Sequence, residues 1–179
     1  TKIISSLRHF MDQRGYLEVD TPILHPILGG AAARPFTTHH NALNREFYLR
    51  IATELPLKKL IVGGFEKVYE IGRIFRNEGI DTTHNPEFTS IEFYEANADL
   101  EDMMNITEQI FKYLAKQIGK TTIDWNGATI NLEQDFKRIE MSSEISKYVG
   151  FDVKKASFEQ LKKEVEKIGQ KIENYYGFE

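Results

Sequence analysis

The sequence of 179 residues contains no cysteine, only 5 prolines and no long apolar run. Without cysteine the chain cannot form a disulfide framework, a thiolate metal site or a thiol nucleophile. No stretch approaches the roughly 18 consecutive apolar residues of a membrane helix, and no signal peptide is recognisable, so we expect no membrane association. Basic residues are not in excess either. The formal net charge of −4 argues against a strongly basic nucleic-acid surface.

What is present indicates a folded domain. The composition of 41% hydrophobic, 12% aromatic and 28% charged residues is typical of globular proteins, and the length suffices to bury a sizeable core. Predicted strands are joined by hairpins and the predicted helices are grouped, which favours an α+β fold with an antiparallel sheet. Two local signals are strong: Asn126-Gly127 predicts a type I′ hairpin, and Ser157 with Gln160 predicts a capping box.

Helical spacing of apolar residues predicts three helices of different lengths. The first runs from Ile3 to Met11 and is stopped by Gly15, and the second spans Glu54–Val62. A long third helix is predicted to begin after an N-cap at Asp99 and to end at Gly119. Its predicted apolar face consists of Leu100, Met103, Thr107, Phe111, Leu114 and Ile118.

A predicted hairpin in the middle of the chain is the most informative segment. The apolar run Lys67–Phe75 leads to Arg76, and the run Phe88–Glu95 alternates with the period of two of a strand. The odd positions of the second strand are predicted to face the core: Thr89, Ile91 and Phe93. The even positions are predicted to share the opposite face: Phe88, Glu92 and Tyr94.

The loop of this hairpin concentrates polar residues that suit chemistry on an anion. It carries Arg76, Glu78, His84 and Asn85 between the two strands. Long loops inside compact domains are uncommon unless they are functional. Taken alone, Arg76 has an ordinary interpretation as a strand-end surface arginine, and Glu92 one as a solvated residue on the outer face of a sheet. The loop as a whole predicts an anion-handling site.

Several segments together resemble one enzyme family. Phe75-Arg-Asn-Glu-Gly79 and His84-Asn-Pro-Glu-Phe-Thr89 resemble motif 2 of the class II aminoacyl-tRNA synthetases, in the form found in the lysyl enzymes. Arg14–Pro22 resembles motif 1 of that family. Other similar segments are Ile27–Phe36 and Tyr48–Leu55, which correspond to the lining of the amino-acid pocket, and Phe136–Met141, which corresponds to a strand.

The resemblance implies part of a catalytic domain. It predicts an incomplete class II synthetase-type antiparallel sheet flanked by helices, with motif 1 at about residues 1–22 and motif 2 at about residues 66–98. Residues of about 99–179 are predicted to form a helical and hairpin insertion, so that the whole of 1–179 belongs to the catalytic domain. The Gly-rich motif 3 and the anticodon-binding domain are absent from the sequence. We therefore expect the chain alone to be inactive.

The resemblance also implies a reaction and its partners. The family's lysyl enzymes activate L-lysine with ATP to lysyl-adenylate and transfer it to the 3′ end of tRNA(Lys). ATP is then a substrate and Mg²⁺ is expected, with its ligands outside this chain and no metal ligand within it. A cytoplasmic homodimer that pairs through motif 1 is expected.

By resemblance, Arg76 is the catalytic residue, since a planar guanidinium bridges phosphate and carboxylate oxygens with paired donors. The ATP-binding residues implied by the family are Arg76, Glu78, His84, Asn85 and Phe88. The lysine-binding residues implied by the family are Gly30, Glu54, Arg76, Glu92 and Tyr94. A carboxylate in this set is physically required, because burying an unpaired ammonium is prohibitively costly.

Two alternative functions stay open from the sequence. One is a lysyl-synthetase-like ligase that modifies an elongation factor, although Gly79 favours the tRNA enzyme over the glutamate typical of that paralogue. The other is a truncated, non-catalytic module for dimerisation or regulation.

The segment Ala52-Thr-Glu-Leu-Pro56 departs from the family's Ala-Pro-Glu-Leu-Tyr but keeps the acidic residue.

Overall fold

Residues 1–170 are described by the structure, which is a computed structural model. The chain separates into two units, one of residues Thr1–Gln134 and one that begins at Asp135. The elements of the first unit are, in chain order, α1 (Lys2–Gln13), β1 (Leu17–Glu18), β2 (Leu24–His25), β3 (Thr37–His40), a 3₁₀ turn (Asn41–Leu43), β4 (Arg45–Leu49), α2 (Glu54–Val62), β5 (Lys67–Phe75), β6 (Glu87–Glu95), α3 (Leu100–Ile118), β7 (Thr122–Trp125) and β8 (Ala128–Asn131). The second unit contains α4 (Met141–Val149) and α5 (Phe158–Lys167). Residues 171–179 of the predicted insertion lie outside the described residues.

The central sheet has the strand order β1-β5-β6. The predicted hairpin is confirmed: β5 and β6 pair antiparallel over nine residues, from Lys67 opposite Glu95 to Phe75 opposite Glu87. The sheet is antiparallel between β5 and β6, as predicted, and β1 adds an edge strand that pairs with β5 in parallel. A parallel pair requires a long crossover, and the chain between β1 and β5 supplies one that contains β2, β3, β4 and α2.

The apolar core lies on one face of this sheet, under α1 and α3. Its buried cluster consists of Phe10, Met11, Tyr16, Tyr69 and Ile106. Ile91 and Phe93 of β6 pack against the cluster as predicted, whereas Thr89, near the loop end of the strand, is exposed. Alternation along β6 therefore separates a core face from a second face, and the predicted site residues lie on the second.

The face that α3 buries differs from the predicted one. Met103, Ile106, Ile110 and Tyr113 pack towards the core, while Leu100 is 73% exposed. The residues of this observed face are also three or four positions apart. The apolar pattern of the sequence is therefore compatible with two neighbouring faces of the helix. Contact with α1 and the sheet selects between them, and that contact is not local in sequence.

Local signals elsewhere are confirmed, with one exception. Asn126 and Gly127 have φ values of 48° and 79°, as a type I′ turn requires, and the capping boxes of Asp99 and Ser157 are both formed. The exception is 136–141, which was expected to be a strand. Residues 136–140 are neither helix nor strand, and Glu140 caps α4 by accepting a hydrogen bond from the Ser143 amide at 2.7 Å. Within residues 1–170, no helix is long and apolar enough to cross a membrane.

The observed face of α3 generates a stability prediction. We expect Ile106→Ala, which empties a site that is 8% exposed, to lower the free energy of unfolding by about 2–5 kcal/mol. Leu100→Ala on the same helix is the control, with an expected change within about 0.5 kcal/mol. Urea denaturation of the complete protein checks both, and equal effects of the two substitutions would contradict the assignment of the buried face.

Candidate active site

The register of the β5–β6 hairpin defines the face on which the predicted site residues lie. Phe88 stands opposite Ile74, and Glu92 stands opposite Glu70. Directly opposed residues point to the same side of an antiparallel pair, so both strands contribute to one face. Helix α2 packs on the two strands, and its Leu57 is fully buried. This helix begins at Glu54, which brings a second carboxylate to the face that carries Glu92.

Glu92 is held by the segment that leads into α2. Its Oε1 accepts a hydrogen bond from the Thr53 amide at 3.0 Å, and its Oε2 accepts one from the Tyr94 hydroxyl at 3.4 Å. Burial, followed by the charges of Glu92 and Glu54, raises the pKa of Tyr94. The two carboxylates and the phenol are therefore close enough to act on one ligand. They form a half-buried negative cluster, which is suited to a cation.

Gly30 packs against the beginning of α2. Its φ is +92°, and a Cβ at this position would lie 3.1 Å from the Cβ of Ala52 and 3.3 Å from the Cβ of Glu54. A side chain would be both strained and crowded there, so glycine permits the close approach. The structure thus brings together four predicted lysine-binding residues: Gly30, Glu54, Glu92 and Tyr94.

A lysine of the chain itself reaches this cluster. The Nζ of Lys58 lies 2.7 Å from Oε1 of Glu54 and 5.9 Å from the centroid of the Tyr94 ring. The sequence pattern predicts only a solvated helix face at Lys58, and the side chain is indeed 56% exposed. In this arrangement an ammonium group lies within hydrogen-bond distance of the Glu54 carboxylate.

Arg76 belongs to both sets of residues that the resemblance predicts, the ATP-binding set and the lysine-binding set. Its Nε donates to the carbonyl of Ile51 at 3.3 Å, and its guanidinium carbon is 5.3 Å from the centroid of the Phe88 ring, within cation–π range. The Arg76 amide donates to the carbonyl of Pro86 at 2.8 Å, which closes the base of the hairpin loop. The arginine is half-buried, so its charge is positioned by protein contacts and keeps access to solvent.

Glu78 is tied to the segment that carries Gly30. Its Oε1 accepts a hydrogen bond from the Arg34 amide at 3.3 Å, and the Asn77 amide donates to the Arg34 carbonyl at 2.8 Å. These two bonds place the segment around Arg34 along the hairpin loop. Arg34 lies in the segment Ile27–Phe36 that resembles the lining of the amino-acid pocket, and it contributes these bonds through its main chain.

His84 is held inside the loop by Asp81. The Asp81 carboxylate lies 2.8 Å from Nδ1 of His84 and also accepts hydrogen bonds from Thr83 and from the His84 amide. The Thr83 amide, followed by the His84 side chain, holds the pKa of Asp81 well below its usual range. His84 and Asn85 are both exposed on this part of the loop, whereas Phe88 is half-buried.

Two functional candidates escaped the motif reasoning, namely Arg50 and Glu70. They form a buried ion pair on the face of the hairpin that carries Glu92. A signal existed: Arg50 stands between Leu49 and Ile51, and Glu70 stands between Tyr69 and Ile71. Charged residues are almost never buried unless they are paired. Their opposite signs are compatible with a buried pair, although the sequence does not show that the two segments meet.

The described residues contain no site suited to a metal ion. Nowhere in residues 1–170 do three or more His, Asp or Glu side chains form a group that could hold one.

Comparison with known proteins gives consistent relatives. The model of the family described as tRNA synthetases class II (D, K and N) matches residues 1–174. A lysine–tRNA ligase of Mycoplasma mobile is 58% identical over 176 residues, which cover 98% of this chain and 36% of the relative. A lysine–tRNA ligase of Mycoplasmopsis fermentans is 54% identical over the same shares of both chains. A lysine–tRNA ligase of Malacoplasma penetrans is 62% identical over 151 residues, which cover 84% of this chain and 31% of the relative. The chain thus spans about a third of the length of these curated relatives.

The environment of Tyr94 generates a prediction about pH. Burial and the neighbouring carboxylates raise its pKa above the ordinary value of 10.0. A raised folded-state pKa means that the neutral phenol stabilises the fold fully below a pH of about 10, and that this contribution is lost as the pH rises through the folded-state pKa. In an alkaline ultraviolet titration, we expect wild type and Tyr94→Phe to show equal tyrosinate absorbance up to pH 10 and to diverge only above it. A difference with a midpoint near 10 would contradict the assignment.

Proposed function

The chain belongs to the tRNA synthetases of class II (D, K and N), and on that premise we propose that its protein is a ligase that activates L-lysine with ATP and transfers it to tRNA(Lys). The names of the relatives support the choice of lysine. The observation that carries the proposal is the convergence of Glu54, Glu92 and Tyr94 with Arg76 on one face of the hairpin. This arrangement pairs a negative cluster for an ammonium with a positive group for a phosphate.

The activation step joins two anions, the lysine carboxylate and the α-phosphate of ATP, and the positive charge of Arg76 reduces their repulsion. An oxygen of the lysine carboxylate attacks the α-phosphorus of ATP, the adenylate P–O bond forms and pyrophosphate leaves with the electron pair of the broken bond. Protein nucleophiles are not required, so positioning and fixed charge supply the catalysis. In this proposal the guanidinium of Arg76 bridges the carboxylate and the α-phosphate.

The hairpin loop would hold the nucleotide. In the proposal the Phe88 ring stacks on adenine beneath Arg76, with the 5.3 Å spacing between guanidinium and ring as support. Glu78 and Asn85 contact the nucleotide, and His84 lies towards the outer phosphates. The bond from the Arg34 amide to Glu78 supports an ordered loop on this side.

Selection of lysine would rest on charge. Glu92 and Tyr94 receive the ε-ammonium, and Glu54 with the backbone near Gly30 receives the α-amino group. The 2.7 Å contact between Lys58 and Glu54 supports the second assignment, since it already joins an ammonium to that carboxylate. A site built to pair a charge rejects uncharged analogues, because its own groups would be left unpaired.

The proposal extends to partners that need more than this chain. The chain spans about a third of its relatives' length, so we expect it to be inactive alone, and tRNA(Lys) and Mg²⁺ are proposed for the complete protein. A homodimer through residues 1–22 is supported by apolar side chains exposed there, Ile3 at 49% and Leu17 at 50%. A cytoplasmic location is part of the same proposal. The elongation-factor ligase and the non-catalytic module have no structural observation in their favour.

The test of the proposal is pyrophosphate exchange. We expect the complete protein to catalyse ATP–pyrophosphate exchange with lysine and with no other standard amino acid. Arg76→Ala should lower the rate by about 10²–10³, the usual cost of removing one transition-state contact. Arg73→Ala is the matched control and should retain activity, because the Arg73 side chain is 58% exposed on the strand that leads to Arg76. Absence of exchange with any amino acid, from folded protein, would reject the proposal.

Lysine selection gives a second prediction. Glu92→Gln keeps the shape of the side chain and removes its charge, so the ammonium loses its partner. We expect the KM for lysine to rise about 10–100-fold while the KM for ATP stays within about twofold. Glu95→Gln is the control, because Glu95 lies on the same strand but bonds Tyr16 and Lys67 on the other face. A parallel rise in the KM for ATP would point to general disruption instead.

A further inference from the structure

A buried charged network lies directly beneath the candidate active site. Arg50 and Glu70 are 2% and 3% exposed and form an ion pair. Thr21 completes the network: its hydroxyl donates to Oε2 of Glu70 at 2.6 Å, and its carbonyl accepts from Nη1 of Arg50 at 3.0 Å. The network is too deeply buried to touch a substrate, so any role in the reaction must be indirect.

Glycine makes room for this network. At Gly72 a Cβ would collide with Nη2 of Arg50 and would lie 3.0 Å from Oε1 of Glu70. Its φ is not positive, so the reason for glycine is space and not backbone conformation. Glycine in the middle of a strand weakens the strand. Gly72 therefore weakens the strand but leaves the space that the Arg50 guanidinium occupies.

The network connects to Arg76 through two consecutive carbonyls. The Arg50 side chain donates from Nε to the carbonyl of Arg73 at 2.8 Å, and the Arg50 carbonyl accepts from the Phe75 amide at 3.0 Å. The next carbonyl, of Ile51, accepts the Nε of Arg76 at 3.3 Å. Arg50 thus bonds the end of β5, immediately before Arg76, through both its side chain and its main chain.

Stability alone is a weak reason for such a pair. Removing two charges from water costs free energy that their attraction often does not recover, and apolar replacements of buried pairs are frequently neutral or stabilising. The pair has one local benefit, because Glu70 is directly opposite Glu92 and like charges across a sheet repel. Arg50 neutralises Glu70 and leaves Glu92 free to bind a cation.

We propose that Arg50 is a positioning residue for Arg76, fixed in place by Glu70 and Thr21, and that it acts by holding the Arg50–Ile51 carbonyls against the end of β5. The inference rests on the proposed function. Small misplacements of a catalytic group cost about 10²-fold in rate. Loosening Arg50 should therefore slow the activation step and leave binding of lysine and ATP nearly unchanged.

The first experiment replaces Arg50 by lysine in the complete protein and measures lysine-dependent ATP–pyrophosphate exchange per active site, with sites counted by the burst of adenylate formation. Arg50→Lys keeps the charge and loses the paired donors. We expect kcat to fall about 10–100-fold and the KM values for lysine and ATP to change less than about threefold. Arg73→Lys, in the exposed pair of Arg73 and Glu87, is the matched control and should retain wild-type kcat, because only the Arg73 main chain contacts Arg50.

The second experiment tests whether Arg50 acts through Arg76. Arg50→Lys is combined with Arg76→Lys, and kcat per active site is compared with that of Arg76→Lys alone. If the effect passes through Arg76, the second substitution should add less than about threefold, because coupled residues are not additive. Losses that multiply would assign Arg50 an independent structural role and overturn the inference.

The outcomes separate the two proposals. No lysine-dependent exchange by the wild type would reject the proposed function, and the inference would fall with it. Exchange by the wild type, with equal kcat for Arg50→Lys and Arg73→Lys, would overturn the inference alone. If Arg50→Lys does not fold, Thr21→Val decides, since it removes a single hydroxyl from the network. A kcat lowered about 3–10-fold is then expected, and an unchanged kcat overturns the inference.

Discussion

Antiparallel pairing of β5 with β6 over nine residues is the constraint on which both the core and the candidate site depend. The pairing sends Ile91 and Phe93 towards α1 and α3, and it sends Glu92 and Tyr94 to the other face. A slip of one residue would exchange these sets. The slip would bury the Glu92 carboxylate among apolar side chains and would expose the Ile91 and Phe93 side chains. The apolar core therefore enforces the register of the polar face.

The second face is assembled by segments that are distant in sequence. Helix α2 brings Glu54, and the segment before it supplies the Thr53 amide to Glu92 and the Ile51 carbonyl to Arg76. Main-chain groups thus orient two of the principal side chains. These contacts fix the direction of the Glu92 carboxylate and of the Arg76 guanidinium, which suits a site whose proposed chemistry is electrostatic and needs no protein nucleophile.

Local chemistry explains what could be predicted from the sequence. The bounds of α2, the hairpin strands and the turn at Asn126-Gly127 follow from periodicity, caps and turn residues, all of which act over a few positions. The buried face of α3, the parallel pairing of β1 and the Arg50–Glu70 pair depend on contacts between remote segments, so the pattern could not select them. The resemblance alone predicts Gly30 and Glu54 as site residues. That Gly30 packs against Glu54, and that Glu54 lies near Tyr94 and Glu92, depends on tertiary structure, which periodicity does not contain.

The buried pair also restricts how this sequence can diverge. Loss of either Arg50 or Glu70 alone leaves one charge in an apolar interior, a state that costs about 3–5 kcal/mol in stability. Gly72 adds a third condition, because any larger residue would occupy the space of the guanidinium. An evolutionary path of single substitutions therefore meets a barrier at all three positions. Residues 50, 70 and 72 are therefore expected to change together or to stay fixed, although Arg50 comes from a different segment than the other two.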